Sequence, residues 1–342
     1  MLTGTKERMY LLLYTLLFAV GSMSCEEVLI ESDQSNDPAA NVDFLWTFVQ
    51  EHYPYLAYKN IDWEAIREEY RAPVNPDMSD RELFGVLSAM LGELEDGHVN
   101  LVSPFQSYFY DITLTTEDRF DFHQVEKNYL TPEGANTYQR NGAFAYTILD
   151  DNVGYVHYPS FGSNVSRIDD ILDEFEEAGV RGLILDVRDN GGGQSDNALG
   201  LAGRFTDQSR PVGYSVVRTG PQASDLSEDL HIQAVPVGRY WQHPVMLLTN
   251  RGSYSACSYF TEFMRQMPQV TVVGDTTGGG GGMPLEYELP NGWSFRLPVT
   301  AFYGLNDFNI ENGVPPDVYQ IQSGQGSPQQ DEVIERAREL LR

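Results

Sequence analysis

Residues 247–267 read LLTNRGSYSACSYFTEFMRQM, and they decide the fold. An apolar run, PVMLLTN, ends at Asn250-Arg251-Gly252, and Ser253-Tyr254-Ser255 follows. From Ala256 the apolar residues fall at Ala256, Tyr259, Phe260, Phe263, Met264 and Met267. That is the spacing of one buried helix face. The stretch is therefore a strand that turns into a helix, with Ser255 at the turn. A hydroxyl there lies at the positive end of the helix dipole, beside amides that have no intrahelical partner. Such amides can stabilise an oxyanion once the hydroxyl has attacked a carbonyl. The alternative is that Ser253 or Ser255 caps the helix and does no chemistry.

The same alternation of strands and helices continues on both sides. AYTILDDNVGYVHYPSF reads as a hairpin turning at Asp150-Asp151-Asn152, and residues 166–178 form an amphipathic helix. RGLILDVRDN is a near-continuous apolar strand, as expected where a sheet is covered on both faces. A glycine turn and helix (GGGQSDNALGLAGRFTD) follow it, then the strands VGYSVVRTG and VTVVGD, and the hairpin LEYELPNGWSFRLPV turning at Asn291-Gly292. Residues 331–341 close the chain as a helix. Strands alternating with helices predict an α/β core with a mainly parallel sheet, spanning 143–322 and followed by a tail and helix over 323–342. Sites in such sheets lie at the carboxyl ends of the strands, where both the DNGGG turn and the NRGSYS turn fall.

Upstream, residues 41–102 predict a small helical bundle. Asp43 is the expected cap of its first helix, Asp62 starts a second, and Ser79 with Glu82 forms a capping box for the third. The third helix runs into Glu95-Asp96-Gly97-His98, which leaves His98 at the junction with an extended run. Residues 103–142 are rich in aromatics and predict a β-rich connector, too short to hold a further peptide-binding module. Residues 1–24 carry Lys6 and Arg8 and then an apolar run, the pattern of an export signal. Small residues then lead into Cys25, which resembles the lipobox of bacterial lipoproteins. That resemblance implies acylation of Cys25, with residues 25–40 as an acidic tether from a membrane. The expected location is the cell envelope of a bacterium, facing the outer membrane or periplasm, with plain secretion as the alternative.

The formal net charge of -28 excludes a nucleic-acid partner, since phosphate binding needs a basic surface. With Cys25 acylated, Cys257 is the other cysteine, so a disulfide framework is excluded. A buried structural thiol is the expected role of Cys257. The six histidines never form an H-x-x-H or H-E-x-x-H pair, so neither a metal nor a cofactor is expected. The DNGGG turn is not followed by GK[ST], which argues against a phosphate loop.

A catalytic serine needs a base. The chain holds three lysines, Lys6, Lys59 and Lys127, and none in the core after Lys127. A histidine oriented by a carboxylate is then the usual solution, with His98 as the candidate. Asp275 and Glu311 are both possible partners, and spacing does not choose between them.

The blocks GLILDVRDNGGG, LLTNRGSYSACSYF, VTVVGDTTGGGGG and ENGVPPDV, in this order, resemble the tail-specific (C-terminal processing) serine proteases. The resemblance covers roughly residues 41–322. It implies a ClpP/crotonase-like α/β core with the N-terminal bundle attached. One branch of that family uses a Ser–Lys dyad, but Gly280 stands at the lysine position here. The other branch, similar to the tricorn core protease, implies Ser255 as nucleophile, His98 as base and Glu311 as the carboxylate orienting His98. It further implies an oxyanion hole from the amide of Ala256 and one amide of the Gly191–Gly192–Gly193 turn. Gly97 stands where the tricorn-type proteins carry a serine before the histidine, and the inserted PDZ module of the dyad branch is absent. The implied function is a serine endopeptidase acting on proteins or peptides in the cell envelope. The alternative is a non-proteolytic protein that binds apolar or peptide ligands on the same fold.

Overall fold

The computed structural model describes residues 35–112, 117–131, 139–327 and 329–342. The export signal, Cys25 and most of the tether lie outside the described residues.

The described chain begins with three helices, α1 (Pro38–His52), α2 (Trp63–Arg71) and α3 (Asp80–Gly92). The first starts earlier than expected. Asp37, not Asp43, is its cap, accepting from the Ala40 amide, and Pro38 supplies the pre-set φ of a first helical turn. The capping box at Ser79 and Glu82 is present on α3. Next come β1 (Asn100–Val102) and β2 (Ser107–Phe109). The region expected to be a β-rich connector contains, after β2, the helical turn α4 (Phe122–Val125), which continues as a wider turn over Glu126–Leu130. Asp121 caps it, and Val125 and Leu130 are buried beneath the main sheet, so burial of these two residues overrides the aromatic strand-like composition.

The core follows as β3 (Gln139–Asn141), β4 (Phe144–Ile148), β5 (Gly154–His157), α5 (Ile168–Glu177), β6 (Leu183–Asp186), α6 (Ser195–Ala202), β7 (Arg210–Val217), β8 (Leu230–Ala234), β9 (Val245–Thr249), α7 (Ala256–Arg265) and β10 (Val270–Gly274). The chain ends with β11 (Pro284–Glu288), β12 (Ser294–Pro298), β13 (Thr300–Tyr303), β14 (Val318–Tyr319) and α8 (Glu332–Leu340).

Seven strands form the main sheet in the order β14-β10-β9-β6-β5-β4-β3. Strands β14, β10, β9, β6 and β5 are parallel, and β4 and β3 add antiparallel. The apolar runs read in the sequence are explained by burial on both faces. Leu183, Leu185, Val245, Leu247 and Val272 pack under α5, α6 and α7, while Ile184, Met246, Leu248 and Val273 pack against α8. The hairpin β11–β12 leaves this core. It joins β1 and β2 in a four-stranded sheet, and the bundle packs on it through Leu87, Leu91, Leu101, Phe295 and Leu297. That second sheet brings the end of the bundle, and His98 with it, to the carboxyl edge of the parallel strands.

Candidate active site

Two turns at the ends of neighbouring parallel strands build the site. Strands β6 and β9 are paired in register, Asp186 opposite Leu248, so their exits lie side by side. Asn250 stitches the exits together: its Oδ1 accepts from the Asp189 amide at 2.9 Å and its Nδ2 donates to Asp189 Oδ1 at 2.8 Å. The Tyr254 amide donates to Asn190 O at 3.0 Å. Ser253, weighed as a helix cap, is fully buried and donates from Oγ to Val187 O at 2.8 Å, so it ties the two strand ends together instead of capping α7.

Ser255 adopts φ 56° and ψ −122°, a region that non-glycine residues rarely occupy. Its side chain makes no capping hydrogen bond to α7. The Oγ instead lies 2.9 Å from His98 Nε2. A strained residue whose hydroxyl aims at an imidazole has the geometry of a nucleophile elbow.

His98 is placed by a tight turn after α3. The His98 amide donates to Asp96 Oδ1 at 2.8 Å, and the Val99 amide donates to Asp96 O at 3.0 Å. The ring packs against Tyr254, with 5.0 Å between centroids. Burial lowers the proton affinity of His98, and Asp96 opposes that in part. A neutral imidazole, able to accept a proton at Nε2, is the form that a general base needs.

The expected partnership of Glu311 with His98 is not the one found. Glu311 Oε1 is 2.8 Å from Lys59 Nζ, and Oε2 accepts from the Gly281 amide at 2.8 Å. The carboxylate within ion-pair reach of His98 Nδ1 is Asp96, with Oδ1 at 3.8 Å. The physical reason is Lys59, which reaches back from the loop after α1 and draws Glu311 to itself. Its ammonium also donates to Leu94 O and Glu95 O, at 3.1 Å each. Burial, then the nearby Asp96 charge, pushes Glu311 up to about 7. Asp275, the other carboxylate considered, faces Arg251 at 3.6 Å.

The glycine turn after β6 lies against Ser255. A Cβ on Gly192, whose φ is 96°, would sit 2.8 Å from Ser255 Cβ and 2.9 Å from Ala256 N. One detail differs from expectation: the Gly192 amide donates to Asn190 Oδ1 at 3.0 Å and is therefore taken. Phe161 binds Gly192 O and the Gln194 amide, so the intervening Gly193 amide faces away from Phe161. Ala256 is the first residue of α7, where an amide has no intrahelical acceptor. Cys257 is buried and free, and burial pushes its thiol up, so it is not a second nucleophile. An open cleft of about 640 Å³ adjoins the site, lined in part by Gly97, Tyr254, Gly280 and Glu311.

Asp96, Lys59 and Tyr53, which donates to Asp96 Oδ2 at 2.8 Å, were not singled out as site residues by the sequence. The scarcity of lysine was a usable signal for Lys59. It served to exclude a lysine base, but it equally marks the one lysine of the bundle as unusual. Among the described residues no group of three or more His, Cys, Asp or Glu side chains is placed to hold a metal ion.

A serine in a rarely occupied backbone conformation lies within hydrogen-bond distance of a buried histidine, at the carboxyl edge of a mainly parallel sheet in an α/β protein. The profile of peptidase family S41 matches residues 152–320, and that of the tricorn protease C1 domain matches residues 35–92. A solved structure described as a candidate peptidase from Parabacteroides merdae is 37% identical, with a TM-score of 0.82 over 90% of this chain and 97% of that one. The carboxy-terminal processing protease CtpA of Bacillus subtilis is 24% identical over 171 residues, 49% of this chain and 35% of the relative. The photosystem II D1 C-terminal processing protease shares the fold, with a TM-score of 0.57 at 16% identity over 88% of this chain and 97% of that one. The chain belongs to peptidase family S41, a family of serine-type peptidases. It spans between a third and two fifths of the length of the first curated relatives it matches.

Proposed function

We propose that this chain is a serine endopeptidase that cleaves protein or peptide substrates through an acyl-enzyme. The carrying observation is the 2.9 Å approach of His98 Nε2 to the hydroxyl of Ser255 on its strained turn. His98 takes the Oγ proton as Oγ bonds to the scissile carbonyl carbon. The amide of Ala256, with an amide of Gly191 or Gly193, stabilises the oxyanion. His98 then returns the proton to the leaving amine as the C–N bond breaks, and a water molecule activated by the same nitrogen hydrolyses the ester. The named relatives that process carboxy termini support a protein substrate.

The signal-like segment and Cys25 support acylation and anchoring at the bacterial envelope. Labelling of the mature N-terminus with a fatty-acid probe tests that part, and absence of label on Cys25 refutes it. For the chemistry, the full-length chain is treated with a fluorophosphonate and with an unfolded protein substrate. Ser255→Ala is expected to abolish both labelling and cleavage. Persistence of either at the parent rate refutes Ser255 as the nucleophile.

A further inference from the structure

His98 Nδ1 is buried, and no protein group among the described residues hydrogen-bonds to it. A buried donor left unmade is costly, so its surroundings need an explanation. The group that faces it is Asp96, with Oδ1 at 3.8 Å, too long for a hydrogen bond but within reach of a small side-chain rotation. Catalytic hydrogen bonds that are long without substrate often tighten once it binds. Asp96 is itself fixed from three sides. Oδ1 accepts the His98 amide, Oδ2 accepts Tyr53, and Lys59 Nζ stands 3.9 Å from Oδ2. Glu311 is held on the far side of Lys59 and comes within ion-pair reach of neither ring nitrogen of His98.

We propose that Asp96, and not Glu311, is the carboxylate that positions His98, and that Glu311 acts one step further out by anchoring Lys59. This rests on the peptidase reading above and assigns the third member of its catalytic set. Asp96 and His98 belong to one turn, so the pair is pre-organised by the backbone and does not depend on a residue more than two hundred positions away. Gly97 allows this compact turn, because a Cβ there would meet Ile112 Cγ2 at 2.6 Å and Tyr254 Oη at 3.0 Å. Lys59 lets the two acids coexist in one buried site, since it sits between them. The charged and titratable groups around the imidazole are Asp96 on its own turn, Lys59 from the loop after α1, Arg296 from β12 and Tyr254 from the turn after β9. Of the two acids, Asp96 raises the proton affinity of His98, and Glu311 is not among the groups that shift it.

The test is the rate of fluorophosphonate labelling of Ser255 in the full-length chain, measured against pH. Wild type that does not label overturns the serine–histidine reading itself, which separates that failure from this one. With labelling present, Asp96→Asn is expected to slow it on the order of 10³-fold, by analogy with loss of an orienting carboxylate. The acid limb of the pH profile should move to lower pH, because the group that raises the His98 proton affinity is gone. Asp96→Glu should restore part of the rate. Glu311→Gln should cost less than tenfold and leave the acid limb in place. A hundredfold loss in Glu311→Gln, or a shifted limb there with a normal one in Asp96→Asn, overturns the proposal. If Asp96→Asn does not fold, the Glu311→Gln arm still decides. A downfield Nδ1 proton signal of His98 should survive in that variant, and its disappearance refutes the assignment.

Discussion

Replacing Ser255 by glycine should make the protein more stable than replacing it by alanine, and the difference measures the strain held at the turn. Ser255 sits at φ 56° and ψ −122°, a conformation that costs a side-chain-bearing residue about 1–3 kcal/mol. Alanine keeps the Cβ and therefore the strain. Glycine removes both, but it gives the unfolded chain extra freedom worth about 0.5–1 kcal/mol. The hydroxyl contact with His98 is lost in both variants and cancels. Glycine should then exceed alanine by about 1 kcal/mol, a rise in melting temperature of roughly 2 °C for a chain of this size. Urea unfolding followed by tryptophan fluorescence reads the same difference as a higher midpoint at an unchanged slope. Both variants should fail to react with a fluorophosphonate. A glycine variant equal to or less stable than the alanine variant would refute the claim that the backbone is strained to present the hydroxyl.

Three further outcomes follow from the same geometry. Gly192→Ala places a Cβ 2.7 Å from Tyr254 O and 2.9 Å from Ala256 N at a φ of 96°, so the nucleophile turn must shift. Labelling of Ser255 should fall by about 10²-fold, and an unchanged rate would show that the two turns are not mechanically coupled. Glu311 binds its proton more tightly folded, at about 7, than its ordinary value of 4.5. Its contribution to stability is therefore complete below pH 4.5 and declines as pH rises through about 7. Denaturant unfolding across pH 5 to 8 should show this decline in wild type and a shallower one in Glu311→Gln; equal slopes would contradict it. Asp331→Ala removes a carboxylate held 3.0 Å from the fully buried Arg188, along with the cap of α8. The loss should be about 3–5 kcal/mol by urea unfolding, and a loss below about 1 kcal/mol would mean that Asp186 alone satisfies Arg188.

The core was legible in the sequence because its signals are local. The strands β6, β9 and β10 read as apolar runs since each is covered on both faces, and the apolar spacing of α7 faces one side of the sheet. The approach of His98 to Ser255 is a contact across 157 positions; the junction after α3 made His98 a candidate base, and the resemblance paired it with Ser255. The sheet membership of β11 and β12 was not legible, since a hairpin pattern is the same whether it extends the main sheet or leaves it. The carboxylate was the hardest part. Glu311 stands in the block of sequence that the resemblance points to, and its ion pair with Lys59 is information that no spacing rule carries. The Asn190 side chain takes the Gly192 amide, a local hydrogen bond that no spacing rule carries either.

The departures at Gly97 and Gly280 look unrelated in the sequence, since 183 positions separate them. In the structure they serve one side chain. A Cβ on Gly280 would meet Tyr254 Cζ at 2.5 Å, and one on Gly97 would meet Tyr254 Oη at 3.0 Å. The Tyr254 ring thus fills the space between the glycine run and the His98 turn, and packs on the imidazole. A lysine at position 280 would need that same space, so the dyad design and this packing are sterically incompatible. The two glycines therefore need not record decay of a site. They are what a bulky aromatic beside Ser255 requires, and that aromatic packs on the His98 imidazole.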